Sequence, residues 1–341
     1  SDIMAMQSEF DARIVENQYD RSIMLQKLAA DSQQKTAAHT RNLLIGGLII
    51  LVLVAGLILR GFTQKRKANL VLSTKNEEIE MQKSIVEEKQ KEILDSITYA
   101  KRIQYTLLAH ENLLKENLAE HFVLFKPKDI VSGDFYWATA TEFNNKKRFY
   151  LAVCDSTGHG VPGAFISLLN ISFLNEAITE KKISECNLVL NHVRERLTNS
   201  VSIDGAQDGM DGTLICFDKS KRSITYSSAY NTPIIISNGR VQQLPADKMP
   251  IGRGVKESEF SLHTIACEPG DMIYLFTDGY ADQFGGPRGK KFKYKQLHEL
   301  LLANCSLSAE EQKTVLERTI EDWRGNLEQV DDICVVGIRI S

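Results

Sequence analysis

From Leu43 to Leu59 every position is apolar or glycine, with Arg41 and Arg60 as the nearest charges. As a helix this run is about 26 Å long, near the lower end of what crosses a bilayer core. It is apolar on every face, and Gly46, Gly47 and Gly56 would weaken a soluble helix, which favours a span over a buried core helix. No small-residue cleavage site comes after it, so a signal peptide is disfavoured. Arg60, Lys65, Arg66 and Lys67 crowd its C-terminal flank, and the positive-inside bias puts the chain beyond residue 60 in the cytoplasm. Downstream the pattern changes to one apolar residue in seven: Leu72, Ile79, Val86, Ile93, Ala100 and Leu107. Such a repeat predicts a helix with one stripe facing a partner, and hence a parallel homodimer. Lys75, Gln82, Lys89 and Ser96 fill the companion position, so a tight zipper is not expected, and a single solvated helix is the other reading.

Beyond residue 118 the periods shorten. Runs at His121 to Phe125, Phe135 to Ala138, Arg148 to Val153, Thr213 to Phe217, Ser223 to Ser228 and Pro233 to Ser237 predict strands, as do Met272 to Thr277 and Ile333 to Ile340. Helical spacing predicts helices over Val161 to Glu180, Glu185 to Ser200, Lys295 to Ala303 and Ala309 to Gly325. Strands grouped in hairpins and helices in pairs argue against a doubly wound parallel sheet.

A chain 43% hydrophobic and 25% charged, with net charge -3, is ordinary for a globular cytoplasmic domain and gives no sign of a nucleic-acid partner. Six cysteines (Cys154, Cys186, Cys216, Cys267, Cys305, Cys334) lie singly, without zinc, redox or C-x₅-R spacing, and read as small buried hydrophobes. Gly285 to Lys291 lacks the spacing of a phosphate-binding P-loop and reads as an exposed basic turn.

The candidate chemistry lies in five segments that carry aspartates: SGDFYW (Asp134), VCDSTGHG (Asp155), DGMDGT (Asp208, Asp211), YLFTDGY (Asp278) and VDDICVVG (Asp331, Asp332). A lone Asp-Gly is ordinarily a turn. Here Asp155 and Asp278 come directly after apolar strand runs and Asp331 and Asp332 precede one, so several strands can aim carboxylates at one edge. Oxygen ligands of this kind suit Mg²⁺ or Mn²⁺, and a pair of such ions serves phosphoester hydrolysis.

In the order and spacing of these motifs, residues 118–341 resemble the metal-dependent PPM serine/threonine phosphatases, and within them the branch like stage II sporulation protein E. The resemblance implies an α+β fold, an α/β/β/α sandwich of two antiparallel sheets flanked by helices. It implies that Asp155 bridges two divalent cations, Mn²⁺ or Mg²⁺, with the Ser156 carbonyl also facing one. Asp278 and Asp331 would complete their shells, and Asp134 would contact the second ion. Asp332 is a further candidate, and Asp208 and Asp211 compete for a role at a third, weaker site. His159 is either a general acid or a residue that orders its turn. No arginine matches the phosphate grip of eukaryotic members. The implied substrate is a small phosphorylated regulator of the anti-sigma antagonist type.

The expected organisation is an extracytoplasmic helical remnant of a longer sensor over 1–41, a transmembrane helix over 42–62, a coiled-coil signalling linker over 63–117 and the phosphatase domain over 118–341, at the inner membrane. Two other classes fit less well: a catalytically silent binding module of the same fold, and a different two-metal enzyme acting on nucleotides.

Overall fold

A computed structural model describes residues 2–143, 146–200, 208–218, 223–255 and 258–341. Two compact units divide the chain, residues 1–89 and 90–341. Helix α1 (Asp2–Leu107) supplies all described residues of the first unit and opens the second. Within the first unit the apolar run Leu43 to Leu59 is exposed along its length, and it is long and apolar enough to cross a membrane. Leu72, Ile79 and Val86 of the seven-residue stripe are likewise exposed.

After α2 (Glu111–Asn117), the second unit runs β1 (Glu120–Lys126), β2 (Asp134–Phe143), β3 (Lys146–Ser156), α3 (Gly160–Asn175), α4 (Cys186–Ser200), β4 (Gly209–Asp218), β5 (Ser223–Ala229), β6 (Ile234–Ser237) and β7 (Arg240–Gln243). It continues through β8 (Ile251–Gly252), β9 (His263–Ala266), β10 (Met272–Phe276), α5 (Gly279–Asp282), β11 (Phe284–Gly285), β12 (Lys290–Lys291), α6 (Tyr294–Asn304), α7 (Ala309–Arg324) and β13 (Ile333–Arg339). One sheet has the order β1-β13-β10-β6-β7 and the other β2-β3-β4-β5-β9, with β8 on β4, and every pairing within both is antiparallel.

Strict alternation along the strands assembles the layers. Phe149, Leu151 and Val153 of β3 and Ile215 of β4 meet Ile273 and Leu275 of β10 and Cys334, Val336 and Ile338 of β13 between the sheets. The intervening Tyr150, Ala152 and Cys154 face outward onto Leu174, Val189, Leu190 and Val193 of α3 and α4. On the far side, Tyr274, Phe276, Ile333 and Val335 pack under Leu297, Leu301, Leu316 and Ile320 of α6 and α7. The α+β sandwich with helices outside is therefore the observed architecture.

The predicted helix over Val161 to Glu180 is α3 plus one π turn at Glu176–Glu180. That segment is apolar enough to pass for a membrane span, yet half of its most apolar window is buried in the domain, as befits a core helix. Five of the six cysteines are buried and all are free. The segment Gly285 to Lys291 is the exposed basic turn joining β11 to β12, with Gly286 and Gly289 at positive φ.

Candidate metal centre

The alternation that fills the core also places the acids. On β3 the inward series Phe149, Leu151, Val153 continues to Asp155. On β2 and β4 the same parity reaches Asp134 and Asp211. Register aligns all three on one rung: Asp134 is opposite Asp155, and Asp155 opposite Asp211. From the facing sheet, the inward series of β10 runs Ile273, Leu275, Thr277, and that of β13 runs back from Cys334 to Asp332. Asp278 and Asp331 flank these positions where β10 ends and β13 begins.

Two hydrogen-bonded ties join the sheets at this edge. The Thr277 hydroxyl donates to Asp134 Oδ2 at 2.6 Å and accepts from the Cys334 N–H at 3.0 Å. Asp332 is buried and spends both oxygens on backbone: Oδ1 accepts from Lys128 N–H at 2.7 Å and Oδ2 from Gly133 N–H at 2.8 Å. It thereby fixes the loop that delivers Asp134. Asp331 Oδ1 accepts from the Asp332 N–H at 2.9 Å.

Burial and mutual repulsion govern the protonation of the cluster. Burial, with Asp155 beside it, holds Asp134 well above the usual carboxylate range, so Asp134 keeps a proton and shares it with Asp155. Burial, then Asp278, pushes Asp155 up to about 8, with Asp331 and Asp211 adding to the effect. Asp211 is raised to about 6 by burial and by Asp278, and Asp278 to about 6 by burial and by Asp331. Asp155 thus feels the charges of Asp278, Asp331 and Asp211, and Asp134 feels that of Asp155. Asp208 stands before β4, off the rung, and between Asp208 and Asp211 the register places Asp211 opposite Asp155.

Glycines let the segments approach. Neither Gly212 nor Gly279 has positive φ, so Asp211-Gly212 and Asp278-Gly279 are not turns of the usual Asp-Gly kind. A Cβ on Gly133 would lie 2.3 Å from the Gly158 carbonyl oxygen, and one on Gly279 would lie 1.9 Å from that of Asp332. Ser156 is buried, its N–H on the Gly133 carbonyl at 3.3 Å and its hydroxyl accepting from Asn170 Nδ2 at 3.0 Å. His159 sits just before α3, half exposed, with Nδ1 3.0 Å from Asp129 Oδ2 and Nε2 3.4 Å from Lys128 Nζ. A carboxylate only accepts, so Nδ1 carries the hydrogen and Nε2 faces the ammonium.

Among the described residues no three acidic, imidazole or thiol groups are drawn in tightly enough to enclose an ion. The fold supplies convergence and charge rather than a closed cage. Carboxylates held above their usual range by one another, on the edge of a low-dielectric layer, fit hard divalent cations, whose binding would displace the shared proton.

Sequence reasoning passed over Thr277, Lys128 and Asp129. The inward series Ile273, Leu275, Thr277 contained the signal for the first. Lys128 and Asp129 lie in an aperiodic loop that offered none.

Compared with known families, residues 145–341 match the family described as stage II sporulation protein E (SpoIIE). Protein IcfG from Synechocystis sp. is 28% identical over 240 residues, which are 63% of this chain and 37% of that protein, so the chain spans well under half of its curated relative. Among solved structures, the SiaA-PP2C domain of Pseudomonas aeruginosa is 30% identical, covers 74% of this chain and 98% of its own, and superposes with a TM-score of 0.66. The PP2C phosphatase domain with a regulatory fragment of SpoIIE from Bacillus subtilis shares the fold at 21% identity, over 65% of this chain and 63% of its own, with a TM-score of 0.53.

Proposed function

The chain belongs to the stage II sporulation protein E family, and from that premise we propose that it is a membrane-tethered, Mn²⁺- or Mg²⁺-dependent phosphoserine/phosphothreonine protein phosphatase. The observation that carries the proposal is the rung Asp134–Asp155–Asp211, with Asp278 and Asp331 brought to it from the facing sheet. Asp134, Asp155, Asp211, Asp278 and Asp331 would hold the ions. Bound there, a pair of divalent cations would supply an activated water and neutralise phosphoryl charge. The chain's own part is positional. Asp332 and Thr277 hold the Asp134 segment, and Asp155, Asp211, Asp278 and Asp331 are only partly buried. Lys128 sets an ammonium beside His159, next to the loop fixed by Asp332, where it can meet phosphoryl oxygens.

The exposed apolar run Leu43 to Leu59 supports a single membrane crossing at the inner membrane, with the catalytic domain cytoplasmic. The exposed seven-residue stripe supports a homodimer formed through the linker. A small phosphorylated signalling protein of the anti-sigma antagonist type is the substrate class that the family resemblance favours.

The test is phosphate release from a phosphoserine peptide by the full chain in detergent, with Mn²⁺, with Mg²⁺ and with chelator. Metal-dependent release that is lost in Asp155→Asn is the expected outcome. Release that persists in chelator or in Asp155→Asn defeats the proposal. Tight Mn²⁺ binding with no release would point instead to a phosphatase-fold binding module.

A further inference from the structure

Gln104, in the last turn of α1, is fully buried and spends its amide on one residue of the loop before Asp134. Its Nε2 donates to the Ser132 carbonyl at 2.6 Å, and its Oε1 accepts from the Ser132 N–H at 3.1 Å. A side chain here does what a neighbouring strand would do, pairing both backbone groups of Ser132 just before β2 begins. The same Nε2 lies 2.9 Å from Ser167 Oγ on α3, and that hydroxyl is 3.4 Å from the Ser132 carbonyl. One turn further along α3, Asn170 donates to the Ser156 hydroxyl, next to Asp155. A buried polar seam therefore runs from the end of α1 to the segments that carry Asp134 and Asp155.

The chemistry of this seam differs from that of the apolar contacts around it. Tyr105 packs edge-on against Phe125, with ring centroids 6.0 Å apart, and contacts of that kind tolerate sliding. A two-point amide pair does not. Moving a helix by one residue translates it about 1.5 Å and turns it about 100°, which would break all of these bonds and leave buried polar groups without partners. The docked state is itself not fully satisfied, because Ser132 Oγ and Asn170 Oδ1 are buried without partners. The helix that carries Gln104 also carries the seven-residue stripe, through Ala100 and Leu107.

We propose that Gln104 is a positioning residue that fixes the Ser132-Gly133-Asp134 segment, so that the Asp134 carboxylate reaches the rung only when the end of α1 holds one axial and rotational setting. The proposal rests on the phosphatase reading and deepens it, by naming the bond through which a displaced helix would weaken metal binding.

The test uses the full chain in detergent with Gln104→Leu, which keeps most of the volume and removes both bonds, and with Ser167→Ala, which removes one partner. Two quantities are read: Mn²⁺ affinity, from the electron paramagnetic resonance of free Mn²⁺, and amide hydrogen exchange across 132–134 compared with β13. In Gln104→Leu we expect exchange across 132–134 to accelerate about tenfold while β13 is unchanged. Mn²⁺ affinity should fall about tenfold, the lower end of what outer-shell partners of metal ligands are worth. Turnover should be restored by excess Mn²⁺, with KM for the phosphopeptide unaltered, a split that general unfolding would not produce. Ser167→Ala should show a smaller change of the same sign, and it decides by the same readouts if Gln104→Leu does not fold. Parental exchange and affinity in the variants overturn the inference. A parent chain that binds Mn²⁺ but releases no phosphate defeats the phosphatase reading and leaves this inference to the affinity and exchange results. A parent chain that binds no Mn²⁺ defeats both.

Discussion

Asp155→Asn should make the metal-free protein more stable near neutral pH while removing its response to Mn²⁺. In the fold the Asp155 carboxyl is pushed up to about 8, chiefly by burial and by the charge of Asp278, from an ordinary value of 3.8. A carboxyl whose folded pKa is raised binds more protons in the native than in the unfolded chain. Its contribution is therefore favourable at low pH and is lost as pH climbs from about 4 to 8. At about 1.4 kcal/mol per pH unit, keeping Asp155 in the fold at pH 7 costs on the order of 4 kcal/mol. Asparagine has nothing to ionise. If half of that penalty is recovered, the melting temperature in chelator should rise by roughly 4–8 °C for a domain of this size. Melts in chelator from pH 5 to pH 8 should show the parent falling more steeply than Asp155→Asn, in which Asp211 and Asp278, raised to about 6, still titrate. With saturating Mn²⁺ the parent's gain should grow with pH, because binding ejects the shared proton, and the variant should gain little. A metal-free parent whose stability is constant or rises over this window, or a variant less stable than the parent at pH 8, would refute the reasoning.

Three further outcomes are expected. Gly133→Ala places a Cβ 2.3 Å from the Gly158 carbonyl oxygen, a backbone atom, so urea unfolding should show a loss of about 2–4 kcal/mol, and a change under 0.5 kcal/mol would contradict the close approach. Lys128→Met removes the ammonium beside His159 and keeps the backbone N–H that Asp332 accepts; KM for a phosphoserine peptide should rise about tenfold with kcat little changed, and an unaltered KM would exclude Lys128 from phosphate binding. Ile79→Asp combined with Val86→Asp puts charge on the exposed stripe and should halve the molecular mass found by light scattering in detergent, and a mass equal to the parent's would mean that the stripe is not the dimer seam.

The elements easiest to foresee were those whose burial is one-sided over many residues. α3, α4, α6 and α7 lie within a residue or so of the helical pattern, apart from the π turn that closes the first, and each expected strand run falls on a strand of the two sheets, while the four-residue edge strands β7 and β9 were not foreseen. α2 was overlooked because seven residues with a single buried side chain, Leu114, have no period to detect. The two-residue strands β8, β11 and β12 are defined by their partners rather than by any pattern of their own. At the site, the acids were legible as the ends of apolar runs, but the choice between Asp208 and Asp211 was not, since register belongs to a pair of strands and not to either one. Gln104 was hidden for a related reason. On a helix rich in Glu, Lys and Gln, a further glutamine reads as solvated until the loop it pairs with is folded against it.

The rung also explains why control would be exerted at this edge. The apolar layer between the sheets is held by area and would resist small forces. Where that layer gives way to carboxylates, cohesion rests on a few directed bonds: Thr277 to Asp134, Asp332 to Gly133 and Lys128, and Gln104 to Ser132. These bonds hold together groups whose charges repel, so each compensates for a local penalty that grows with pH. In a cluster so balanced, a differential of about 3 kcal/mol between two settings of the helix would shift the population of a competent site more than a hundredfold, within the range typical of coupling between sites. Losing the amide pair of Gln104 and exposing its partners to a non-bonding environment is of that order, since each buried polar group left unpaired costs about 1–3 kcal/mol. If the proposed coupling holds, a signal arriving along α1 would not need to unfold or rebuild anything and would have only to set whether Gln104 meets Ser132.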